Sequence, residues 1–149
     1  MEIRIIQNKL FFEEVASRIA HGERVTIRVK GNSMLPFVRD VKDKVVLESP
    51  TQQSFQKGRL LLVQMPSKNY LLHRVERIDR EHITLRGDGN LDISETCTTY
   101  DVVAEAVAVI RDGKEIRVGS LQWNLYRYLW PRNRFLRRVG LGVYRRVFL

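Results

Sequence analysis

The chain has 149 residues, 44% of them hydrophobic, a single cysteine and a formal net charge of +9. That is enough for one domain with its own core, and it excludes an intramolecular disulfide and disorder of the whole chain. No segment reaches the ~18 consecutive apolar residues that span a bilayer. Glu2, Arg4, Lys9, Glu13 and Glu14 interrupt the beginning, so a secretory leader is not expected, and the chain reads as cytoplasmic, at most peripheral on the cytoplasmic membrane.

In chain order, Phe11, Phe12, Val15, Ala16 and Ile19 recur at helical spacing, which predicts a helix over 9–20 that ends at His21-Gly22. Val25 to Val29 alternates as a half-buried strand does and runs into Gly31-Asn32-Ser33-Met34-Leu35-Pro36. Gly31 frees the backbone to turn, whereas Pro36 stiffens the segment after Ser33. Strands are expected at Lys44–Glu48, Arg59–Met65, Tyr70–Ile78 and His82–Arg86, the third with Leu71, His73 and Val75 on one face. Gly87-Asp88-Gly89-Asn90-Leu91-Asp92 is rich in turn formers, and Asp112-Gly113 between two apolar runs signals a hairpin joining 102–111 to 114–118. From Ser120 the composition turns aromatic and basic, with helices expected at 121–130 and 132–149 although Gly140 and Gly142 weaken the second. Eight arginines and no acid lie between Arg117 and Leu149, so the tail carries the basic charge and the body is near neutral.

Taken alone, Ser33 reads as a turn residue and His73 as a core histidine. A serine hydroxyl becomes a useful nucleophile only when a positioned base takes its proton and a third group orients that base. Three stretches in order could supply these parts: Gly-Asn-Ser33-Met-Leu-Pro, His73-Arg74-Val75 and Gly87-Asp88-Gly89-Asn90. Together they resemble the Gly-x-Ser-Met-x-Pro box, base-strand motif and Gly-Asp-x-Asn loop of the signal peptidase I and LexA-like serine peptidases, over about residues 25–110. Histidine at the base position is similar to the endoplasmic-reticulum and archaeal type.

The resemblance implies a mainly antiparallel β fold of the LexA and signal peptidase kind over 1–118, with the N-terminal helix, and a basic helical tail over 119–149. It also implies endoproteolysis by acyl transfer without a metal or other cofactor, on a polypeptide substrate. Ser33 would attack, His73 would act as base and then acid, and Asp92 or Asp88 would orient His73. The Ser33 N–H is the first oxyanion donor; Gly31 stands where many relatives carry a hydroxyl, a contribution that is absent or replaced by Asn32, and Met34 and Pro36 support the site. Lys68 falls in a turn before the base strand and is set aside, and His21 and His82 receive no role.

The tail allows two readings: its aromatics and arginines lie in an anionic membrane interface, or they fold back and cap the sheet. Nucleic-acid binding, as in a self-cleaving LexA-like regulator, is disfavoured, because the region before Val25 is too short for a helix-turn-helix domain and the body is near neutral. A non-catalytic relative that grips peptides by strand addition is the other alternative.

Overall fold

The computed structural model describes residues 8–28, 34, 37–39, 42–90, 93–129 and 134–148, of which 8, 9, 126–129, 134 and 148 are described by backbone alone. Helix α1 (Asn8–Ala20) buries Phe12, Val15 and Ile19, the stripe its spacing predicts. It stops where Gly22 takes a left-handed φ of 83°, so that the Gly22 N–H reaches the Ile19 carbonyl and the Glu23 N–H reaches that of Arg18.

The strands are β1 (Val25–Arg28), β2 (Lys44–Glu48), β3 (Leu60–Gln64), β4 (Tyr70–Asp79), β5 (His82–Arg86), β6 (Glu95–Thr98), β7 (Val102–Arg111) and β8 (Lys114–Arg117). Helices α2 (Leu121–Leu129) and α3 (Arg134–Phe148) close the chain. The sequence anticipates every strand but β6. All pairings are antiparallel, in the order β1-β2-β7-β3-β4-β5-β6, with β8 on β7. The sheet curls into a half-barrel, helped by irregularities at Val46/Leu47, Leu62/Val63 and Val75/Arg77 that bend the strands locally. At the β7–β8 turn Asp112 and Gly113 both have positive φ, the primed geometry that matches the twist of a hairpin.

Alternation along the strands divides the side chains of β3 between two cores, while a third, smaller cluster gathers Val46, Val107 and Ala108. Leu60 and Leu62 of β3 join α1, β1, Met34, Phe37 and Val38 in the first; Leu61 and Val63 join Val75, Ile83, Leu85 and Cys97 in the second. Burial, with the nearby charge of Asp101, pushes the Cys97 thiol up to about 11, so it holds its proton at neutral pH and packs as a small hydrophobe.

The tail begins inside the first core. Trp123 is buried and meets Phe37 edge to face at 5.0 Å, and the Arg74 guanidinium lies 4.8 Å from the centre of the Phe37 ring. At Trp123, therefore, the tail caps the sheet. Trp123 cannot also sit among lipid headgroups. Arg74→Lys would keep the charge but lose the guanidinium contact with the Phe37 ring and the paired hydrogen bonds that Arg74 Nε and Nη2 donate to Asp88. We expect a loss of roughly 2 kcal/mol, read as a fall of roughly 4–8 °C in the melting temperature.

Candidate active site

Four strands in register position the candidate base. His73 of β4 faces Leu61 of β3; two residues on, Val75 faces Leu85 of β5, and Leu85 in turn faces Glu95 of β6. Cross-strand partners share a face, so His73 and Glu95 come out on the side of the second core. His73 is only 6% exposed, and its Nδ1 lies 2.9 Å from Glu95 Oε2. With Nδ1–H donating to the carboxylate, the ring is held in the tautomer whose Nε2 carries the lone pair, the form a general base needs.

Asp88 is not the acid on His73. Its carboxylate is buried and faces the opposite way, gripped by Arg74 through Nε to Oδ1 at 2.8 Å and Nη2 to Oδ2 at 2.7 Å. The reason is parity: in His-Arg-Val the arginine points to the other face from the histidine, and a buried carboxylate is held best by a two-pronged guanidinium. Asp92, the other expected partner, lies outside the described residues, as do Gly31, Asn32, Ser33 and Pro36.

Met34 is described and buried, and its sulfur accepts the Asp88 N–H at 3.3 Å. One contact chain therefore runs from Met34, the residue after Ser33, through Asp88 to Arg74, and joins the three motifs of the sequence. The Gly87–Asn90 turn at its centre is pinned from several sides. Asn90 N–H reaches Gly87 O, Arg86 Nε donates to Asn90 O, and Arg137 from α3 donates to both Gly87 O and Asn90 O at 3.1 Å. Burial, with Arg86 nearby, brings Arg137 down to about 10, which leaves it charged at neutral pH.

Beyond Pro36 in sequence lies a buried ion cluster that sequence reasoning missed. Asp43 accepts from the Arg39 N–H and guanidinium and from Arg111, and Arg111 Nη2 also donates to Phe37 O at 2.7 Å. Glu105 of β7, in line with Leu61 and His73, is another buried acid, but Ser54 and Arg59 occupy its two oxygens. Lys68 sits in the exposed β3–β4 turn with φ 72°. His21 caps its own helix through the Ser17 carbonyl, and His82 is exposed. Among the described residues no group of three or more His, Cys, Asp or Glu could hold a metal ion.

Glu95 is the partner of His73 that the sequence reading passed over. Its segment, Glu95-Thr96-Cys97-Thr98, lacks the apolar alternation that marks a strand. The available signal was register: once Cys97 is set opposite Ile83, Glu95 falls opposite Leu85, one step from the row of His73. No known protein family matches the chain, and no curated protein matches it either.

Proposed function

We propose that the chain is a serine endopeptidase of the signal peptidase and LexA-like kind, in which Ser33, His73 and Glu95 cleave a peptide bond by acyl transfer. The observation that carries this reading is the buried His73 ring held at Nδ1 by Glu95 at 2.9 Å, while the contacts of Met34 with Asp88 and of Asp88 with Arg74 tie the three motifs together on the other face of the sheet. Ser33 attacks the scissile carbonyl as its proton passes to His73 Nε2; His73 then gives that proton to the leaving amine, and water attacks the acyl-serine with the same base. Glu95 keeps the ring oriented and stabilises the imidazolium. This chemistry requires the Ser33 hydroxyl to lie on the His73 side of the sheet, the side away from Met34.

Among the described strands β1 ends the path and pairs with β2 along one edge, so a peptide laid along its other edge would lie beside the strand that leads in sequence to Ser33. The same edge serves a second reading, capture of a peptide without cutting it. A broad peptide library distinguishes them, with mass spectrometry of the acid-quenched chain. Cut products and an acyl group on Ser33 are expected; bound peptides with no cut product would replace the enzyme by the binding protein.

A further inference from the structure

We infer that Arg137 is a positioning residue for the candidate site, through which α3 holds the Gly87–Asn90 turn and, by way of it, the chain at Met34. The placement of these groups does not depend on the peptidase reading; only its effect on cleavage rests on that reading. Arg137 and Leu141 lie four residues apart on α3 and are both buried, so they share the strip that meets the domain. Leu141 is the ordinary residue for such a place. A buried guanidinium costs desolvation, and Arg137 offsets part of it by donating from one nitrogen, Nη1, to both Gly87 O and Asn90 O at 3.1 Å. Two carbonyls three residues apart are thereby tied to one point, which fixes the ends of the turn against each other.

The other helix of the tail grips the other half of the same contact. Trp123 of α2 is buried and meets Phe37 edge to face. Phe37 lies between Met34 and Val38, and the Val38 N–H donates to Met34 O at 2.9 Å. Met34 Sδ in turn accepts the Asp88 N–H at 3.3 Å. So α2 reaches the Met34 segment, α3 reaches the Asp88 turn, and the two segments touch each other. Arg74 completes the join: its guanidinium holds the Asp88 carboxylate, lies 4.8 Å from the centre of the Phe37 ring and 5.9 Å from that of Trp123. A helix that served only to cover apolar surface would need no arginine aimed at two turn carbonyls. Ser33 precedes Met34 in sequence, so loosening Met34 loosens the backbone that carries the candidate nucleophile.

The test is amide hydrogen exchange by NMR on the full chain, read at Val38, Asp88 and Asn90 in the parent and in Arg137→Met and Arg137→Lys. Methionine fills the space without a donor. Gly87 O keeps the Asn90 N–H and Asn90 O keeps Arg86 Nε, so neither carbonyl is stranded and the variant should fold. Exchange at the three amides should quicken by about tenfold or more in Arg137→Met, while amides paired within β2, β3 and β7 keep their parent rates. Arg137→Lys should restore most of the protection, since both bonds come from one nitrogen that an ammonium can replace. Leu141→Ala weakens the same strip without touching those bonds and should quicken the same three amides, which gives the test a second, independent variant. On the peptidase reading, kcat in Arg137→Met falls about tenfold with KM within a few-fold, and lysine recovers it. Unchanged exchange at the three amides would overturn the inference. So would quickening shared equally by β2, β3 and β7, the sign of lost global stability, or quickened exchange with cleavage untouched. A parent that cuts no peptide would overturn the peptidase reading alone, and the exchange rates would still decide the role of Arg137.

Discussion

Glu95→Gln is expected to lower kcat for peptide cleavage by about 10²–10⁴-fold while leaving KM within a few-fold. The glutamine amide fills the same space but can donate as well as accept. It no longer fixes the proton on Nδ1, and it offers no charge to the imidazolium that forms as Ser33 attacks. At 20% exposure Glu95 is partly solvated, which places the effect below what a fully buried acid would give. Glu95→Asp retains the charge on a shorter arm and should recover part of the loss. The competing assignment is tested in the same assay with Asp92→Asn. If that change abolishes cleavage and Glu95→Gln does not, Asp92 is the orienting acid and the contact between His73 and Glu95 is structural.

Asp43→Ala is the second large effect, on stability. The Asp43 carboxylate is 0% exposed and meets Arg39 and Arg111 at 2.7 and 3.0 Å. Removing it takes the shared carboxylate from two guanidinium groups, each 20% exposed, and breaking such a buried pair costs about 3–5 kcal/mol where both partners are fully buried and less where water reaches one, still a large share of the ~5–15 kcal/mol that holds a domain folded. Thermal unfolding should show a fall of roughly 10 °C or more. Because Arg39, Phe37 and Arg111 all meet around Asp43, the turn bearing Ser33 should loosen too, and cleavage should fall below what the remaining folded fraction explains.

The pH dependence of the same group has a definite sign. Burial alone would raise the Asp43 pKa, but the hydrogen bonds from Arg39 and Arg111 outweigh it and hold the carboxyl below the ordinary value of 3.8. The folded protein therefore binds this proton less readily than the unfolded chain does. The contribution is complete above the unfolded value and is lost as pH falls through the folded one. Asp43→Asn should flatten the acid limb of the stability curve below about pH 4. An acid limb unchanged in that variant would place the sensitivity on other carboxyls.

Periodicity was a good guide wherever apolar residues alternate or recur. α1, β2, β5 and the β7–β8 hairpin stand within about a residue of where Val15 and Ile19, Val45 and Leu47, Ile83 and Leu85, and Asp112-Gly113 place them. It failed at β6, whose polar residues are strand only because β5 offers a partner. Of the two acids expected to orient His73, Asp88 is turned away and Asp92 lies outside the described residues. The reading of His-Arg-Val attended to the histidine, while the arginine beside it took Asp88 and left His73 to Glu95. In α3 the pattern was visible but its sense was not, because nothing in the spacing of Val139 and Val143 says that Arg137 points inward.

Strands β2 and β3 are neighbours in sequence but are parted in the sheet by β7, which reaches both. A nascent chain that has emerged only through residue 98 can pair β1 with β2 and β3 through β6, as two detached ribbons with raw edges. Residues 102–111 are the keystone, and until they arrive neither ribbon has its sheet. Premature termination anywhere before β7 would therefore release sticky half-sheets in place of a smaller folded protein, and the burden on chaperones would fall in the interval when β7 is still being made.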